Sequence, residues 1–242
     1  MKIDTHVHLL VSKKQTTPDI QAINYMLDIA RTSQISALCI TEHIESVGYD
    51  NLMHALFIDN RLHAEIFPEY ILTRQGIKLY PGAELQIANG TNIGVHTSLD
   101  SLLQLNHNTG AYTLPELYDA LSSHGGWFAL VAHHIFWPNK TYPDHDELAR
   151  YVSAIEVPAK DLDNVEKYLA LSQKYGLATT GGSDAHTYIQ IGACHSVLSE
   201  SEYGEQHPLR YAFHNNHQYH YFSDFSKRLV EMSKIYRATI MA

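Results

Sequence analysis

Residues 2–8 alternate between apolar and polar side chains, whereas residues 37–40 form an unbroken apolar run. The first pattern predicts a strand with two unlike faces, the second a parallel strand buried on both. Between them, Thr17-Pro18-Asp19 has the form of a helix cap with proline in the first turn, and a helix is predicted to about Arg31. Residues 49–75 are rich in helix formers and interrupted at Pro68, which predicts two helices before a strand over 77–85 that carries Glu84 at its end. Residues 90–99 show no clear period. Thr113-Leu114-Pro115-Glu116 opens a helix that Gly125-Gly126 closes, and the apolar strand at 127–131 runs into His133-His134. A short helix is predicted at 144–151, a strand at 153–157 with Glu156 near its end, and a helix at 164–175 stopped by Gly176. Residues 177–180 then lead into Gly181-Gly182-Ser183-Asp184-Ala185-His186. The tail, 199–242, is weakly periodic apart from a final helix predicted at 223–236.

Strands alternating with helices, with no linker or repeat, predict a mainly parallel sheet in one unit spanning residues 1–242. Ionisable residues recur at the carboxyl ends of the strands, which favours a barrel, because a barrel gathers those ends at one mouth. A chain of 242 residues is the size of one such barrel. The formal net charge of -9 offers no electrostatic footprint for long nucleic acids. No signal-like start or apolar run of the ~18 residues needed to span a bilayer is present, so a cytoplasmic location without membrane contact is expected. Cys39 and Cys194 lie far apart, and both are read as buried thiols. Oligomeric state leaves no mark in the sequence. The unusual number is seventeen histidines, the commonest metal-ligating side chain.

Their placement points to metal chemistry. A period of two puts Asp4, His6 and His8 on one strand face, where two imidazoles reach one cation and the carboxylate orients one of them. The same parity turns His43 inward with Cys39 and Thr41, and His133 inward with Val131. It leaves Glu42 and His134 facing elsewhere. Glu84 offers two oxygens able to bridge two cations, and Asp184 and His186 again stand two apart, after glycines that let the backbone turn.

In order from Asp4 to His186, these residues resemble the PHP (polymerase and histidinol phosphatase) superfamily, most specifically in Asp-x-His-x-His and Gly-Ser-Asp-Ala-His. The resemblance covers about three quarters of the chain. It implies an α/β fold, a distorted TIM-like (β/α)7 barrel in a single domain, with two or three divalent transition-metal ions (zinc, manganese or iron) and phosphoesterase activity. By resemblance, His6, His8, Glu84 and Asp184 hold one ion, Glu84, His96 and His133 its neighbour, and His43 and His186 a third. Three positions depart from the family pattern: Thr41-Glu42-His43 replaces Thr-Asp-His, His133-His134 replaces His-Pro, and Ser12-Lys13-Lys14 stands where a further third-metal ligand is often found. The expected reaction is hydrolysis of a small phosphomonoester or nucleotide by metal-activated water. Asp4 is expected to assist catalysis and His134 to protonate the leaving group. Among the cations following strand ends (Lys13, Lys14, Arg61, Lys140, Lys160), Lys160, Arg61 and Lys14 are put forward for phosphate contact. An amidohydrolase-like enzyme and a non-catalytic metal-binding module are the competing readings.

Overall fold

The computed structural model describes residues 1–198, 206–215, 219–222 and 224–241. Its strands are β1 (Lys2–Val7), β2 (Ala37–Ile40), the short β3 (Glu65–Ile66) and β4 (Ile71–Leu72), β5 (Lys78–Gln86), β6 (Asn92–Thr97), β7 (Phe128–His133), β8 (Ala154–Pro158), β9 (Ala178–Gly182), β10 (His195–Val197) and β11 (Tyr219–Tyr221). The α-helices are α1 (Ile20–Thr32), α2 (Tyr49–Met53), α3 (Leu99–Leu103), α4 (Leu114–His124), α5 (His145–Tyr151), α6 (Val165–Tyr175), α7 (Pro208–Asn215) and α8 (Asp224–Met241). The tail helix thus runs further than 223–236, and its expected first residue, Ser223, lies outside the described residues.

The strands pair in the order β11-β10-β1-β2-β5-β6-β7-β8-β9. The ring closes where the segment after β9 meets β1: His8 N donates to Ala185 O and Asp184 N to His6 O, each at 2.8 Å. Lower down, β10 wedges between β1 and β9 and pairs antiparallel with β1, while Ser196 Oγ accepts from Gly181 N at 2.8 Å. The result is a distorted TIM-like α/β barrel, nearly closed, with β10 as the eighth strand beside the expected seven.

Two expectations fail for identifiable reasons. The sheet is mixed rather than mainly parallel: β6 runs antiparallel to both β5 and β7, and β10 antiparallel to β1. The connection from β5 to β6 is a tight turn closed by Ile87 N to Thr91 O, far too short for a crossover helix. The second helix expected within 49–75 is instead the β3–β4 hairpin, with Pro68 in its turn and Phe67 N bonded to Tyr70 O.

Helices cover the outside, packing on Leu38, Ile40, Leu79, Leu130, Ala132 and Ile155, in the main apolar core. Inside, the amino-terminal half of the lumen is lined by Ile3, Ala37, Cys39, Tyr80, Val131, Ala154 and Ala178, on which α7 packs through Leu209, Ala212 and Phe213. The carboxyl ends of the parallel strands open at the opposite end, where the polar cluster sits.

Candidate metal centre

Glu84, on β5 and 1% exposed, is the hub of that cluster. Its Oε1 lies 3.1 Å from His133 Nδ1, 3.0 Å from His134 Nε2 and 3.4 Å from His6 Nε2. Its Oε2 lies 2.9 Å from His43 Nδ1 and 3.7 Å from His8 Nε2. Asp184 Oδ1 adds contacts of 3.8 Å to His6 Nε2, 3.3 Å to His8 Nε2 and 3.5 Å to His186 Nε2. His8 and His186 stack at 4.1 Å between ring centroids.

The outer nitrogens of the first two imidazoles are held by carboxylates. Glu156 Oε1 binds His6 Nδ1 at 2.6 Å, and Glu42 Oε1 binds His8 Nδ1 at 3.3 Å. With those Nδ1 atoms carrying protons, His6 Nε2 and His8 Nε2 turn lone pairs toward one another at 3.0 Å. Such an arrangement repels unless a cation lies between them. Metal–ligand bonds of about 2.0–2.2 Å bring neighbouring ligand atoms to roughly 3.0–3.5 Å, and most separations here match. The electrostatics agree. Glu42, Glu84, Glu156 and Asp184 are buried carboxylates, and the ammonium of Lys160 lies 2.7 Å from Asp184 Oδ2. Burial alone depresses His6, but Glu156, Glu84 and Asp184 outweigh it and hold the imidazole well above its usual value. Burial lifts Glu84 and Asp184, but for Glu84 the surrounding imidazoles, and for Asp184 first Lys160 and then His6, hold the carboxylate well below its usual range. The site therefore demands positive charge, and its imidazole and carboxylate donors suit divalent transition metals.

The structure brings His6, His8, His43, Glu84, His133, Asp184 and His186 together, and it draws in His134, Glu42 and Glu156 as well. His134 enters because its φ of +33° turns the chain at the end of β7, so that consecutive histidines face the same cluster. Asp184 makes a similar turn, with φ +50°. Glu42 clamps the start of the next loop, its Oε2 accepting from Leu9 N and Leu10 N. The signal for Glu156 was its place near a strand end; for Glu42 no parity argument sufficed.

Other candidates fall elsewhere. His96 faces the lumen opposite Gly82, two residues below Glu84, because antiparallel β6 carries its carboxyl end away from the mouth. Asp4 touches no imidazole. Its carboxylate accepts from the backbone of His6, Ser183 and Gly192, following a register shift between Asp4 and Val7. Burial raises its pKa to about 6 against those bonds. Lys14 and Arg61 are exposed, whereas Lys160 sits at the cluster. Lys13 pairs with Glu45 at 2.5 Å, and Lys140 reaches Gln86 and Asn92 beside the mouth. Arg237 of α8 donates through Nε to Val11 O, and its charge reaches Asp184 and Glu42.

A family model described as PHP-associated matches residues 165–207. Among solved structures, PsfC from Pseudomonas syringae PB-5123 is 49% identical over 99% of this chain and 98% of that chain, with a TM-score of 0.92. The lesion-specific endonuclease PfuEndoQ from Pyrococcus furiosus has a similar fold at 13% identity and a TM-score of 0.62, over 90% of this chain and 57% of that chain. Endonuclease Q in complex with a 27-mer duplex substrate, with an abasic lesion at the active site, aligns at 13% identity and a TM-score of 0.61, over 88% and 57%. No curated protein matches the chain.

Proposed function

As the chain belongs to the PHP superfamily, we propose that it is a metal-dependent phosphoesterase acting on a small phosphomonoester or nucleotide. One observation carries this reading: the mouth buries four carboxylates, of which among the described residues only Asp184 is paired with a lysine or arginine, while His6 and His8 aim their Nε2 atoms at one point. His6, His8, Glu84 and Asp184 hold the first ion. Glu84 and His133 hold the second, with His134 taking the place expected of His96. His43 and His186 hold a third where it is filled. Zinc, manganese and iron all suit this donor set. When bound, such cations supply Lewis acidity, lowering the pKa of water and neutralising phosphoryl charge.

The chain's own groups do the positioning. Glu156 and Glu42 fix the tautomers of His6 and His8, so that each Nε2 presents a lone pair. Lys160 and Arg237, with Lys13 and Lys140 on the facing side, ring the mouth with positive charge suited to a phosphate dianion. His134 acts as a ligand rather than the proton donor, since it offers a ligating nitrogen within 4.8 Å of those of His6 and Asp184 and its ring stacks on Trp137 at 4.6 Å. Among the described residues, no helix is long and apolar enough to cross a membrane.

The test is to measure transition metal per chain in protein purified without chelator, beside a His6→Ala/His8→Ala double variant, and to assay both against phosphomonoesters, nucleotides and amides. Two or three equivalents that fall sharply in the variant, with phosphate release that falls in parallel, are expected. Amide cleavage without phosphate release selects the amidohydrolase reading. Full metal occupancy with no turnover of either class selects the non-catalytic module.

A further inference from the structure

His96 leaves the mouth only to enter a second cluster. It lies in the lumen, 0% exposed, and neither ring nitrogen has a hydrogen-bond partner among the described residues. An imidazole buried in this way forfeits a donor and an acceptor, which is costly unless something binds them. Two other ligating side chains converge on the same place. Cys39 of β2 and His207, just before α7, offer atoms that lie with one of His96 within 4.8 Å of each other, and all three residues are buried. Cys39 Sγ stands 4.0 Å from His207 Nε2, and the His96 and His207 rings meet edge to face at 5.8 Å.

We propose that Cys39, His96 and His207 form a separate binding site for one thiophilic transition-metal cation such as zinc, in the lumen below the phosphoesterase centre. The donor set is one thiolate and two imidazoles, a soft combination absent from the mouth, which contains no cysteine. With metal–sulfur and metal–nitrogen bonds near 2.3 and 2.0 Å, a tetrahedral ion with water in its fourth position holds sulfur and nitrogen roughly 3.5 Å apart, so the 4.0 Å pair closes by about half an ångström on binding.

The surroundings favour a structural ion. Ile3, Ala37, Tyr80 and Leu209 pack around Cys39; burial, and after it the carboxylate of Asp4, push the free thiol up, and the same carboxylate would balance a cation bound there. Tyr80 and Trp127 pack on the His207 ring at 4.5 and 4.9 Å. A cavity of about 490 Å³ on this end of the barrel, lined by Phe67, Tyr70, Trp127 and Arg210, reaches His207.

Uptake of a divalent cation requires a proton balance. The Cys39 thiol loses its proton to solvent, and a metal–sulfur bond replaces the S–H bond. His207 accepts from Leu209 N through Nδ1 at 3.3 Å, so its proton resides on Nε2. Binding moves that proton to Nδ1 at the expense of this long hydrogen bond, freeing Nε2 for the metal. One proton is released per ion. The ion would join β2, β6 and the start of α7, tying the chain near the end of the 165–207 match into the lumen.

Cobalt(II) is the probe, because the chain's only other cysteine, Cys194, lies against Val157 O and outside the cluster. Chelator-stripped protein titrated with cobalt is expected to show a thiolate-to-cobalt charge-transfer band. The band should survive in Cys194→Ser and in His6→Ala/His8→Ala, and disappear in Cys39→Ser with loss of one equivalent of metal. Failure of the phosphoesterase reading leaves this signal untouched. Cobalt-saturated wild-type protein without the band overturns the proposal, as does a band lost in Cys194→Ser and kept in Cys39→Ser. Should Cys39→Ser fail to fold, His96→Gln replaces it: an unchanged band there overturns the site, and its loss or shift with the mouth's metal retained supports it.

Discussion

At the scale of single residues, the strand period of two placed His6, His8, His43 and His133 correctly relative to the mouth, because side chains on an extended strand alternate. It failed at Asp4, Glu42 and His134, where the backbone departs from that period. Asp4 precedes a register shift, and His134 has a left-handed φ. Asp4 therefore does not orient an imidazole, and the roles of Glu156 and Glu42 emerge only in three dimensions. Glu156 gives the sharpest test. The imidazoles of His6 and His133 hold its carboxyl below the usual range despite complete burial, and it bonds both His6 Nδ1 and His134 N. Glu156→Gln removes the charge while keeping the size. It is expected to lower metal affinity about 10- to 100-fold, read by chelator competition, with the fold retained. Unchanged affinity would reduce Glu156 to a packing residue. A second test concerns Arg237. Arg237→Met keeps the apolar stem and is expected to raise KM for a phosphomonoester about tenfold with kcat changed less, as loss of a charged contact of ~1.4 kcal/mol requires.

At the scale of elements, most helices and strands were legible from apolar periodicity and from end signals such as the Thr113 capping box and Gly176, whose φ is +64°. The direction of β6 was not read, although the five-residue connection 87–91 already excluded a crossover. That one reversal moved His96 out of the mouth. It also brought Gly94 opposite Glu84, where a Cβ would stand 2.2 Å from His133 Nε2 and 2.6 Å from its Cε1. The His133 ring thus occupies the space that a side chain at position 94 would need. Gly94→Ala is expected to displace that ring, destabilising the fold by about 1–3 kcal/mol and costing the second metal. Metal content and thermal unfolding measured on one sample check both effects. Retention of full metal content would show that the ring moves without ceasing to bind.

At the scale of the whole molecule, the buried histidines respond to acid in opposite ways, even within the mouth, where burial holds His43, His133 and His186 below the usual imidazole value. Without metal, the mouth carboxylates raise His6 and His8 above the usual imidazole value, so protonation favours the fold there. In the lumen, burial and then Arg210 push His207 from 6.5 down to about 3. Between those values the unfolded chain binds a proton that the folded chain refuses. The contribution of His207 to stability is therefore present above pH 6.5, falls as the pH drops toward 3, and levels off below. The slope reaches about 1.4 kcal/mol per pH unit. Urea unfolding of chelator-stripped wild-type protein and of His207→Gln, at pH 6.5 and at about pH 5, isolates this effect, because His6 and His8 titrate alike in both proteins. The wild type is expected to lose roughly 2 kcal/mol more than the variant over that interval. Equal losses would mean that the lower lumen admits a charged imidazole, so that α7 does not seal that end of the barrel.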